Sequence, residues 1–542
     1  MKNNILLGCL LSAAVLSTSC SDFLDEKPQG MLIPENYFST QDELNMSVYA
    51  LYNKVNASQT FTNMQYPHWQ GDDITTNPGS NKQAAAELDR FAPTNSNKGV
   101  KDCCNRHYEI IKAANMIINN GGKTPTTEEE KNVAIGQARY WRAYAYFTLV
   151  RLFGPLPMNM DNVNDDFTLE LSPVETVYKY ILEDLEAAES LPSSYSAAPR
   201  FMNGVNVYVT QQAVKSTLAA VYMAMAGWPL NKGAEYYAKA ADKALEVISK
   251  ESEYGLELDN DYKNVYAMSN NYNKETVLGI NYSPIVDWSQ DSQLTSCNVF
   301  ESLGGWGDGW GEIRFWKRFP EGPRKDATYD PKILLTDGTL VNWWDKKPDG
   351  TPYVNEYHPM FSVFTVNWDP VTKKNIDAPY DYKLPKSQNM CNGHRHRLIR
   401  YSEVLLWYAE AAARSGKGDM AMAKQCLKRV RARAVNSDQV NTVDGVAIDN
   451  MSNEQLANAA YQEHGWEVAG YWVALVTRRS DQFRMNELKN TFAERAENAP
   501  VEIVSGVTAT EGVLLVNKTW NDDLMYLPYP DTDSQKNPNL RR

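Results

Sequence analysis

The sequence is poor in the residues that most chemistries need. Six histidines are spread over 542 residues, and only His394 and His396 lie close together. Two imidazoles at i and i+2, with no third donor beside them, do not make a zinc site. The seven cysteines are scattered. With Cys9 and Cys20 in the leader region set aside, Cys103, Cys104, Cys297, Cys391 and Cys426 remain, an odd number without a disulfide framework. Basic charge is scarce too. Lys and Arg number 54 against 67 Asp and Glu, and the net charge of −13 argues against nucleic acid as the main partner. No stretch of about 18 consecutive apolar residues is present, so none reads as a membrane-spanning helix. Walker, Rossmann and nucleophile-elbow motifs are missing. Asp72-Asp73 and Asp165-Asp166 are neighbours in sequence, which says nothing about the roughly 5–9.5 Å separation that glycosidase carboxylates need. "DNVNDDF" lacks EF-hand spacing. No catalytic residue, metal site or cofactor is expected.

What is present begins at the N-terminus. Lys2 precedes an apolar run from Ile5 to Leu16, then Ser17, Thr18, Ser19 and Cys20. That is the layout of an export signal with a lipid-attachment cysteine, residues 1–19 being removed and Cys20 acylated. Acyl chains hold a protein to a membrane by about 0.8 kcal/mol per buried CH₂. The polar "SDFLDEKPQG" then serves as a tether. The alternative is an ordinary signal peptide cut near Ser19, with Cys20 left as a plain thiol. Removal of residues 1–19, whose only charge is Lys2, takes the net charge to −14.

Most of the remaining chain reads as paired amphipathic helices. Thr127-x-x-Glu130 is a capping box. After it, Tyr140, Tyr144, Phe147 and Val150 form one stripe, and Trp141, Ala145, Thr148 and Leu152 another. A helix apolar on two faces is expected to be buried. Ser172-Pro173-Val174-Glu175 reads as a cap with Pro at the first helical position. Val214 to Met225, Tyr237 to Ile248, a helix ending at Gly416 and one carrying Ala423, Leu427 and Val430 repeat the plan. The spacing echoes the helical hairpin of roughly 34 residues in tetratricopeptide repeats. The fold class expected is mainly α: helical hairpins at about 40–254 and 396–480 as a scaffold, with a loop-rich insert at about 255–395. A short strand is expected at "ETVLGINYS".

The insert holds seven of the fourteen tryptophans: Trp288, Trp306, Trp310, Trp316, Trp343, Trp344 and Trp368. In "ESLGGWGDGWGEIRFW" the glycines leave Trp306 and Trp310 without neighbouring side chains to cover them. An exposed indole can stack on the C–H face of a sugar ring, and Asp308, Glu312 and Arg314 can bind hydroxyls. The ligand-binding candidates are Trp306, Trp310, Trp288, Trp343, Asp308 and Arg314. Trp69 joins them from "QYPHWQGDDIT", where Asp72 and Asp73 can accept from hydroxyls. The competing reading is that these tryptophans pack a small core of the insert's own. Trp141, Trp407 and Trp472 lie on expected helices and read as core.

Several stretches together resemble the SusD/RagB-like outer-membrane lipoproteins of Bacteroidetes. "CSDFLDEKP" resembles that family's mature N-terminus, and "ARYWRAYAYFTLVRLFGPLPM" its signature helix. "SPVETVYKYILEDLEAAESLP", "LIRYSEVLLWYAEAAARSG" and "YLPYPDTDSQKNPNL" resemble later landmarks, so the likeness runs from residue 20 to 540 as a single domain. "YQEHGWEVAGYWVALVTRRSDQF" departs from the family pattern at several charged positions, which puts local salt bridges in question. The resemblance implies a non-catalytic surface protein anchored in the outer membrane through Cys20. Its helical side would dock on a SusC-like TonB-dependent transporter, and its loops would capture a glycan, or a peptide in some members. The tryptophan content favours a glycan. A surface glycoside hydrolase and a helical assembly scaffold without a small ligand are the readings from other classes.

Overall fold

The computed structural model describes residues 37–60, 66–77, 82–160, 166–282, 292–303, 305–329, 331–335, 337–362, 367–369, 374–377, 393–512, 515–516 and 519–541. The signal segment, Cys20, Trp288 and Cys391 lie outside these residues, as does the side chain of Trp368.

The scaffold is built from α1 (Gln41–Thr60), α2 (Lys98–Asn120), α3 (Glu128–Phe153), α4 (Val174–Ala188), α5 (Gln211–Ala226), α6 (Ala234–Ile248), α7 (Tyr401–Ser415), α8 (Met420–Arg431) and α9 (Asn453–Glu467). The Thr127 hydroxyl accepts from the Glu130 N–H and starts α3. Both expected stripes of α3 are buried, and α2 and α4 both pack against it. Gly154 ends α3 at φ +74°, and a Cβ there would lie 3.0 Å from the Tyr526 ring. At α4 the start differs by one residue from expectation. Ser172 pairs with Leu156 in a two-residue strand, so Pro173 takes the capping position and the helix begins at Val174. Neighbouring helices pack as hairpins: α1 on α2, α5 on α6, and α7 on both α8 and α9. Buried alanines such as Ala240, Ala241 and Ala244 in α6, and Ala409, Ala411 and Ala412 in α7, let these two approach closely. The α6–α7 contact joins the two halves that the insert separates in sequence.

Short strands tie the insert down. These are β1 (Ile74–Thr75), β2 (Thr276–Ile280), β3 (Trp310–Gly311) and β4 (His396–Arg400). The expected strand is β2. It pairs antiparallel with β4, which runs straight into α7, and β1 pairs antiparallel with β3. The insert also has its own core of Phe300, Trp310, Ile313, Ile333, Val341 and Trp343. Ile503 and Ala509, from the hairpin Val501–Val504/Val507–Ala509, complete it.

Charge fastens the insert to the scaffold. Arg324, in the short helix Pro323–Thr328, meets Glu463 at 2.7 Å and Glu467 at 2.9 Å on α9. Glu467 also receives Arg400 and Arg433, each at 2.7 Å. Arg433 reaches Glu275 at 2.6 Å, Arg431 reaches Glu463 at 2.6 Å, and Arg400 faces Glu403 at 3.5 Å. Four guanidiniums thus meet four carboxylates, all buried. The stretch that departs from the family pattern supplies Glu463 and Glu467, the centre of this network.

His464 sits beside it, 2.5 Å from Asp481 and 3.5 Å from Glu403. Burial opposes its charged form, but Asp481 and Glu403 outweigh burial and raise its pKa to about 9. A folded pKa above the unfolded value near 6.5 gives stability that is complete below pH 6.5 and lost as pH rises through about 9. Urea midpoints of the wild type should therefore fall between pH 6.5 and 9.5 more steeply than those of His464→Gln. Parallel slopes would exclude a charged His464.

Candidate functional site

The tryptophan-rich loop folds differently from the expectation. Its glycines are needed for close backbone approach. A Cβ on Gly305 would lie 2.1 Å from the Val299 carbonyl oxygen, and one on Gly307, at φ +57°, 2.9 Å from the Glu301 nitrogen. Hydrogen bonds run from Trp306 N to Ser296 O (2.7 Å), Gly307 N to Val299 O (2.9 Å) and Asp308 N to Cys297 O (2.9 Å). The loop is thus pressed onto residues 296–301, and Trp310 is carried inward.

Most of the expected ligand residues are consequently buried. Trp310, 7% exposed, packs against Phe300 and 4.9 Å from the His358 ring. Trp343, 3% exposed, belongs to the insert's core. Trp69 is fully buried, edge-on to Trp472 at 5.0 Å. None of the three presents an open indole face. Asp308 is buried and ion-paired with Lys82; burial raises its pKa, against the pull of Lys82. The Arg314 guanidinium donates to Ala499 O at 2.9 Å and lies 3.3 Å from Glu312. Asp72 is clamped by Arg478 at 2.7 Å, and Asp73 accepts from Gly470 N at 2.7 Å. Burial and the adjacent Asp72 push Asp73 up to about 7. These polar groups, expected at the ligand, hold the early loop and the insert to the scaffold. His394 and His396 are buried in and beside β4; His396 Nε2 lies 2.9 Å from the Ser292 hydroxyl, and burial pushes His394 down to about 3. Trp141, Trp407 and Trp472 are core, but Trp472 lies in a turn beyond the end of α9 and not on the helix expected for it. Cys103, Cys104, Cys297 and Cys426 are buried and not disulfide-bonded.

Of the expected aromatic candidates within the described residues, Trp306 alone stays half-buried, one side packed on the main core. Two tryptophans outside the candidate set join it. Trp316, in the helix Ile313–Arg318, and Trp344 are half-buried and flank the buried Trp343. The three rings form a cluster: Trp316–Trp343 5.4 Å, Trp343–Trp344 5.2 Å and Trp316–Trp344 5.6 Å between centroids. The Lys325 ammonium lies 4.4 Å from the Trp316 ring centre. Trp343 and Trp344 are the central residues of a turn closed by the Asp345 N–H on the Asn342 carbonyl at 3.0 Å, with Trp343 buried and Trp344 left half-buried.

These features define a helical-repeat scaffold carrying a separately cored, tryptophan-rich insert. A SusD-like family model described as "Starch-binding associating with outer membrane" matches residues 22–223, and the SusD family model matches residues 349–542. The chain belongs to the SusD/RagB-like family. A SusD-like protein of Bacteroides ovatus is 24% identical, covering 100% of this chain and 97% of its own. SusD-like protein P2 of Formosa agariphila is 26% identical over 82% of this chain and 86% of its own. Among solved structures, a SusD homologue from Bacteroides thetaiotaomicron superposes with a TM-score of 0.73 at 19% identity, covering 93% of this chain and 97% of that one. Another, solved with a xylogluco-oligosaccharide, has a TM-score of 0.66 at 21% identity, over 92% and 98%. At these identities the likeness to solved structures shows the fold. No helix among the described residues is long and apolar enough to cross a membrane.

Proposed function

We propose that this protein is a non-catalytic glycan-binding lipoprotein on the cell surface. Cys20 anchors it to the outer membrane, and it passes its ligand to a SusC-like TonB-dependent transporter. The observation that carries the reading is the set of half-buried indoles on the insert, Trp306, Trp316 and Trp344. Each is backed by packed core on one side, which fixes the ring, and a fixed aromatic face stacks on a sugar at little entropic cost. The family membership and the oligosaccharide held by one structural neighbour support the same reading.

Affinity electrophoresis of the mature protein against a panel of neutral and acidic polysaccharides tests it. At least one polysaccharide should retard the wild type, and Trp344→Ala or Trp306→Ala should weaken retention by at least about tenfold, or 1.4 kcal/mol. Retention by none of the panel would sink the proposal. So would release of reducing sugar that vanishes when one carboxylate is changed. Mass spectrometry of the mature N-terminus should find acyl chains on Cys20.

A further inference from the structure

A cleft of about 460 Å³ opens between α2, the strand Leu156–Pro157 and the C-terminal stretch from Tyr529 to Leu540. It uses no residue of the tryptophan-rich insert, and its size falls within the roughly 300–1,000 Å³ of small-ligand sites. Phe153 and Tyr529 stack behind one wall, both buried, centroids 5.9 Å apart and planes 13° apart. Phe167, 39% exposed, stands at the edge with the Lys536 ammonium 4.9 Å from its ring centre.

Charge and hydrogen-bonding capacity narrow the ligand. Lys101, Lys112 and Lys536 face Glu109, Asp166 and Asp533, so the lining carries no net charge and does not select a polyanion. The side chains of Lys101 and Asn105 make no hydrogen bond or ion pair among the described residues. The Thr532 hydroxyl is buried there without a partner, a state that costs about 1–3 kcal/mol. A peptide held by main-chain pairing needs an open strand edge. Here the walls are largely helical, and the Pro157 carbonyl is already taken by the Tyr108 hydroxyl at 3.0 Å. A ligand whose hydroxyls both donate and accept, and which has an apolar C–H face for the exposed Phe167 ring, suits the Lys101 and Asn105 side chains.

We infer that this cleft is a second carbohydrate site, built on the scaffold, that takes a short stretch of a neutral glycan. It goes beyond the function proposed above, since it depends on none of the insert's tryptophans.

The test is isothermal titration of the full mature protein with neutral mono- and disaccharides of glucose, galactose, mannose and xylose, alongside a short-peptide panel. The double variant Lys101→Ala/Asn105→Ala removes groups without partners and leaves the fold intact; Phe167→Ala is the second variant. At least one sugar should bind the wild type and Trp344→Ala alike, and bind both cleft variants at least about tenfold more weakly. The inference is overturned if no sugar of the panel binds, if the cleft variants bind as the wild type does, or if peptides alone depend on Lys101 and Asn105. Polysaccharide retention lost in Trp344→Ala but kept in the cleft variants leaves the proposed function standing while the cleft fails. The converse pattern keeps the cleft and removes the tryptophan site.

Discussion

Glu467→Ala should lower the free energy of unfolding by about 3–5 kcal/mol, the cost of breaking a buried ion pair from one side. Glu467 is the hub of three buried arginines, Arg324, Arg400 and Arg433. Without it, a neutral cluster acquires a net positive charge that no solvent reaches. Burial alone would raise the pKa of Glu467, but Arg433, Arg400 and Arg324 overcome it and hold the carboxyl at about 2. A depressed folded pKa means that the stabilisation is complete above the unfolded value of 4.5 and disappears as pH falls through about 2. Guanidinium chloride unfolding, followed by far-UV circular dichroism, measures the loss. Since Arg324 belongs to the insert and the other two arginines to the scaffold, limited proteolysis of Glu467→Ala should open the insert first. A loss below about 1 kcal/mol would show that the pairs only offset their own desolvation.

Gly305→Val should be the most damaging single change in the tryptophan loop. The new Cβ would fall 2.1 Å from the backbone oxygen of Val299, which cannot rotate away as a side-chain tip can. Overpacking of this kind costs about 1–3 kcal/mol, and more where backbone must move. The hydrogen bonds of Trp306, Gly307 and Asp308 to residues 296–299 would go with it. Trp310 would then lose its contact with Phe300, and Trp306 its fixed direction. The expected result is a red-shifted tryptophan emission together with weakened polysaccharide retention. An unchanged emission spectrum and melting temperature would show that the loop tolerates a side chain there, and that the close approach is not required.

The scaffold was legible because helix formation is governed by near neighbours. The double stripe of α3, the Thr127 cap and the Gly416 stop each depend on residues three or four positions apart, and each is where its spacing places it. The start of α4 shows the limit: a strand partner sixteen residues upstream, Leu156, claimed Ser172 and moved the cap to Pro173. The candidate site was legible only in outline. The concentration of tryptophans marked the insert, but which rings face outward depends on what packs behind them, and the partners of Trp69 and Arg314 lie far along the chain at Trp472 and Ala499.

By itself, then, the sequence determined the helical hairpins, the place of the insert and the family likeness, all of which rest on local spacing or on short motifs. Only the tertiary structure decided that the loop glycines serve close packing and not exposure. It alone turned Asp308, Asp72 and Arg314 into internal ties, and left Trp306, Trp316 and Trp344 half in solvent. The physical reason is that burial and charge pairing are properties of surfaces brought together from distant parts of the chain, and sequence neighbours do not carry that information.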